Sequence, residues 1–67
     1  MSVFSERLKE LRTDEGLSQE KLAKLLGIAH SAISFWEADK RKPSFENAIM
    51  IAKFFKVSLD YLAGLED

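Results

Sequence analysis

The stretch LSQEKLAKLLGIAHSAISFWE, residues 17–37, carries two short amphipathic patterns separated by a single glycine. The first opens at Ser18, a good N-cap, with Leu17 before it and Leu22 four positions on, which is hydrophobic-staple spacing. It stops at Gly27, a residue type that tolerates the left-handed backbone ending many helices. The second, roughly residues 29–38, sets Ala32, Ile33 and Trp36 at spacings of one and three, so one side of that helix is apolar. Only two or three residues around Gly27 and Ile28 join the two patterns. Their apolar stripes can then meet only if the helices cross steeply, which is helix-turn-helix geometry. With Ala32, Ile33 and Trp36 inward, His30, Ser31, Ser34 and Phe35 fall on the outward face.

Nine residues without formal charge lie between Gly27 and Glu37, and Lys40, Arg41 and Lys42 follow soon after. A face meant only for water would more often carry Lys and Glu. One laid against base edges must avoid anions and keep its reach short, because phosphates flank the bases. Plainer readings stand beside this one: the basic run as a solvated loop, Phe35 packed against a neighbouring helix, His30 as an exposed spectator. A metal role for His30 lacks partners, since metal sites usually need three or four ligands and the chain has no cysteine and no second histidine.

Outward from this stretch, a helix over roughly residues 3–15 places Phe4, Leu8 and Leu11 on one stripe and ends at Gly16. Its charges, Glu6, Arg7, Lys9, Glu10 and Asp14, read as a solvated face. A fourth helix runs from Ser44, after Pro43, to about Phe55, and a fifth starts at Ser58 with Val57 and Leu62 as its staple pair. No β-alternation persists, so the expected fold is all-α, a compact five-helix bundle forming one domain over residues 1–67. The fourth helix needs only Ala48, Ile51, Ala52 and Phe55 for packing, which leaves Ile49, Met50 and Phe54 in surplus, and Tyr61 and Leu65 are in surplus further on. This points to self-association through Tyr61 and Leu65, away from the cations. The plainer reading is one or two exposed apolar residues without a role.

At 67 residues the core must be small, since a chain of this size buries only about 60% of its unfolded surface. The absence of cysteine excludes a disulfide framework and points to a reducing compartment. The longest apolar run, residues 48–52, is far below the ~20 residues of a membrane span. The opening residues are charged from residue 6 and show no secretory apolar region, so a cytoplasmic location is expected. Net charge is −1, but its distribution matters more: residues 16–45 hold five cations against three anions, while both flanks are net negative. No glycine-rich phosphate loop and no Ser/His/Asp arrangement is recognisable, so neither an enzyme nor a cofactor is expected, and no small-molecule ligand is evident.

The 17–37 stretch, followed by KRKPS and then VSLDYL, resembles the phage Cro and repressor family of helix-turn-helix DNA-binding domains, the Xre type. The resemblance covers nearly the whole chain, with Gln19, Ala23, Gly27, Ile33, Trp36, Glu37, Pro43 and Ser58 in register with the family pattern. It implies a lambda-repressor-like fold. It further implies that Gln19 holds a DNA phosphate, that His30, Ser31, Ser34 and Phe35 face base edges in the major groove, and that Lys40, Arg41 and Lys42 lie along the sugar-phosphate backbone. Arg12 and Glu37 match a structural ion pair tying helix one to the end of helix three, where the residues alone would also allow an exposed Arg12.

Four departures qualify the match. Ala29 stands where the family usually has a Ser or Thr cap, while Asp39 and Lys56 replace usual glycines. Phe35 stands where a residue able to hydrogen-bond a base is commoner; a phenyl ring can instead pack on a thymine methyl group. The resulting expectation is a transcriptional repressor that binds a two-fold symmetric double-stranded DNA operator as a homodimer. The alternative is a protein-interaction module on the same fold, an antitoxin or antirepressor-like partner, or one domain of a longer regulator.

Overall fold

The computed structural model describes residues 2–67. Five helices follow one another: α1 (Val3–Asp14), α2 (Gln19–Leu26), α3 (His30–Glu37), α4 (Phe45–Phe55) and α5 (Leu59–Ala63), with no strand among the described residues. Every element expected from the sequence is present within a residue or two of its expected ends.

Short helices leave a large share of their backbone groups without intrahelical partners, so their ends decide whether they form. Four of the five open on a serine. Ser2, Ser18, Ser44 and Ser58 each accept a hydrogen bond from the N–H three residues on, at 2.9–3.2 Å. Only α3 lacks this device: Ala29 precedes it with extended backbone and no side-chain bond.

The C-termini share one design. In each, a residue with left-handed backbone stops the helix, namely Gly16, Gly27, Asp39, Lys56 and Gly64. The N–H of the next residue then reaches back to the carbonyl five positions earlier: Leu17 to Arg12, Ile28 to Ala23, Lys40 to Phe35, Val57 to Ala52 and Leu65 to Asp60. This bond is that of the Schellman motif, whose closing residue is ordinarily apolar and tucks against the helix it ends. Leu17, Ile28 and Val57 do so and join the edge of the core. Lys40 and Leu65 are exposed instead.

Leu8, Leu22, Ala23, Ile33, Trp36, Ile51, Ala52 and Leu62 form the buried core. Helix α3 packs against α2 and α1, and α5 closes the bundle against α1 and α4. The Phe4 ring meets Trp36 edge-on, with centroids 6.4 Å apart, joining the start of α1 to the end of α3. Ser5, fully buried, is satisfied locally by donating its hydroxyl to the Ser2 carbonyl at 2.9 Å.

One residue departs from its expected surroundings. Helical spacing puts Arg7 on a solvated face, yet its guanidinium stacks 4.2 Å from the Tyr61 ring centroid and donates to the carbonyls of Tyr61 and Glu66. The cause is the length of the side chain, which brings its charge across to the carbonyls at and beyond the end of α5.

Candidate nucleic-acid interface

Gly27, Ile28 and Ala29 form the whole turn between α2 and α3. Ile33 and Trp36 are buried and Ala32 is half-buried, which rolls the opposite side of α3 outward. His30 and Ser31 are exposed at the start of that side and Phe35 near its end, with Ser34 half-buried at its edge. At about 1.5 Å per residue, the eight residues of α3 span about 12 Å, the width of the major groove of B-form DNA.

The far end of α3 is fixed by a polar cluster. Glu37 is buried, and its carboxylate accepts from Arg12 twice, Nε to Oε2 at 2.7 Å and Nη2 to Oε1 at 2.8 Å. The remaining Arg12 nitrogen donates to the Leu17 carbonyl at 2.7 Å. The Glu37 hydrogen bond raises the Arg12 pKa above its ordinary value, against desolvation that lowers it. Gln19 completes the cluster, its side-chain amide donating to Glu37 Oε1 at 3.1 Å. One carboxylate thus joins α1, the first turn of α2 and the last turn of α3. A primary amide has two N–H donors, so this bond to Glu37 leaves Gln19 one for a further acceptor.

Beyond α3, the left-handed Asp39 reverses the chain, with φ of 61°. The N–H groups of Lys40 and Arg41 then both point at the Phe35 carbonyl, at 2.9 and 3.4 Å, and Arg41 swings its guanidinium over the Phe35 ring, 5.3 Å from the centroid. Lys40, Arg41 and Lys42 are all exposed. The structure therefore gathers Gln19 and the three cations about the C-terminal end of α3, with His30 and Ser31 about 10 Å away at its start. The Arg41–Phe35 stack has no helical spacing behind it, and nothing in the sequence pattern pointed to it.

Beyond α5, Leu65 is 77% exposed, while Tyr61 is half-buried beneath Arg7. The end of α5 is not remote from the basic loop, since Lys42, Pro43 and Ala63 line one cavity with Ser2, Val3 and Phe4. Among the described residues no group of acidic, histidine and cysteine side chains could hold a metal ion. Among them, too, no helix is long and apolar enough to cross a membrane.

The helix-turn-helix family model matches residues 8–62. The chain belongs to that family. It is 44% identical over 64 residues to the HTH-type transcriptional activator BcrR of Enterococcus faecalis, a match covering 96% of this chain and 31% of that protein. The fold is similar to that of the restriction-modification controller protein C.AhdI from Aeromonas hydrophila, with TM-score 0.79, 38% identity, and 90% of this chain and 91% of that one covered. It is also similar to the P22 c2 repressor protein in complex with synthetic operator 9T, with TM-score 0.83, 32% identity, and 92% and 94% covered. The chain spans 29–58% of the length of the curated relatives it matches.

Proposed function

We propose that this chain is a DNA-binding transcriptional regulator whose α3 enters the major groove of double-stranded DNA. The observation that carries this reading is the composition of the α3 surface. Its exposed side holds His30, Ser31 and Phe35 and no carboxylate, and three exposed cations stand directly after it. In this reading His30, Ser31, Ser34 and Phe35 face base edges, while Gln19, Lys40, Arg41 and Lys42 meet phosphates. The role of Gln19 is supported by its fixed amide, and by the helix N-terminus behind it, where the backbone dipole favours an anion.

One such module buries only about 600–1,000 Å² on DNA, and phosphate contacts alone give about 10⁻⁴ to 10⁻⁶ M. A homodimer, joined through Leu65 and Tyr61, doubles the buried area and the number of phosphate contacts. It would set two copies of α3 in successive major grooves about 34 Å apart on an operator with two-fold symmetry. Repression by occluding the promoter needs no surface beyond this one, whereas activation needs a further contact to polymerase.

Selection from a randomised duplex library at about 50 and 200 mM salt tests the reading. The expected result is an enriched motif with two-fold symmetry and a loss of about 10³-fold in affinity across that salt range. No retained duplex at the lower salt overturns it in favour of a protein-interaction module.

A further inference from the structure

Phe35 and Arg41 are six positions apart and meet only because Asp39 reverses the chain between them. Both are exposed, so the stack is not a by-product of core packing. A phenyl ring on the surface of α3 would ordinarily sample its rotamers freely, at an entropic cost on binding. Here a planar cation lies against it, held from the backbone side by the Lys40 and Arg41 N–H groups on the Phe35 carbonyl.

We propose that Phe35 and Arg41 form one reading unit, in which Arg41 fixes the Phe35 ring against the C5-methyl group of a thymine. This rests on the DNA-binding reading above and deepens it by naming the base and the residue that prepares the contact. Arg41 is then a positioning residue for sequence discrimination as well as a cation near the backbone. The chemistry is specific: among the base edges of the major groove, only thymine offers a methyl group, and a phenyl ring offers no hydrogen bond to the others. A guanidinium over one face of the ring leaves its edge and opposite face for that methyl.

The experiment uses the duplex motif enriched by the wild-type chain, with each thymine replaced in turn by deoxyuridine, which lacks only the methyl. One replacement should weaken wild-type binding about fourfold, the effect of exposing one methyl-sized group. Phe35→Ala should remove that difference. Arg41→Lys keeps the charge while losing the planar stack; it should retain the salt dependence of wild type but lose at least half of the thymine preference. Both substitutions are at the surface, and an unchanged melting temperature verifies that the fold is intact.

If Arg41→Lys or Arg41→Ala weakens binding evenly at all positions and leaves the thymine preference intact, Arg41 is a phosphate contact alone and the unit is refuted. Deoxyuridine replacement without effect at every position refutes it as well, while leaving DNA binding standing. Failure of the wild-type chain to retain any duplex removes the DNA-binding reading itself.

Discussion

Arg12 and Glu37 meet through two parallel hydrogen bonds of 2.7 and 2.8 Å, with 11% and 4% of their side chains exposed. Between helices that share so small a core, this pair fixes where the end of α3 sits relative to α1, and through Gln19 it fixes the start of α2 as well. Burial of two opposite charges gains little overall when both are present, but removing one leaves the other desolvated without a partner.

Glu37→Ala is therefore expected to cost about 3–5 kcal/mol, which is most of the stability of a domain of this size. The paired replacement Arg12→Met with Glu37→Leu should cost much less than either single loss. Thermal unfolding followed by circular dichroism reads both, and a loss in the double variant equal to the sum of the two single losses would mean that the pair is not coupled.

The missing cap on α3 gives a second expectation. Ala29 has the extended backbone of an N-cap residue, φ −70° and ψ 142°, but no oxygen to offer. Ala29→Ser supplies that oxygen without a change of backbone and should stabilise the domain by about 1 kcal/mol, or about 4–8 °C in melting temperature. An unchanged melting temperature would show that the first turn of α3 is already satisfied.

Much of this architecture was legible because punctuation and periodicity agree. Ser18, Ser44 and Ser58 mark three starts, Gly16 and Gly27 mark two ends, and the apolar stripes between them have helical spacing. The basic loop and the carboxylate-free face of α3 could also be located, since both depend on residue type and local geometry. What could not be read are contacts across the chain by flexible side chains. Arg7 on α1 looks like any solvated cation until α5 is seen beside it. Arg41 looks like one of three equivalent cations until the Asp39 reversal lays it on Phe35. The bond from Gln19 to Glu37 likewise depends on how α2 meets α3.

Lys56 ends α4 with φ of 58° and ψ of 43°, a conformation that crowds the Cβ of any L-residue. Lys56→Gly removes that crowding but frees the unfolded chain, so the net gain should be about 0.5–1 kcal/mol. Urea unfolding with an unchanged slope and a higher midpoint would match this. A lower midpoint would mean that the Lys56 side chain contributes more than its backbone strain costs.

The Arg7 contacts predict a local effect. Helix α5 has five residues, too few to stand alone, and Arg7 binds the carbonyls at its end while covering Tyr61. Arg7→Met should keep much of the packing and lose the charge, costing about 1 kcal/mol because the side chain is one-fifth exposed. Amide hydrogen exchange should accelerate in α5 while α2 and α3 change little. Uniform acceleration across all helices would instead mean that α5 does not open separately.

Leu65 occupies the closing position of a Schellman motif, where Leu17, Ile28 and Val57 tuck against the core, yet it stands 77% exposed. Phe54, on the helix packed against α5, is exposed as well, at 38%. Apolar side chains left outside on or just beyond these two packed helices suit a surface that a second copy covers. Leu65→Asp would place a charge in that surface and leave the backbone bond to Asp60 intact. Sedimentation should then find a dimer for wild type and a monomer for the variant, with the variant also losing its preference for two-fold symmetric duplexes over single half-sites. A monomer in both at high concentration would sink the dimer, and a dimer in both would move the interface away from Leu65.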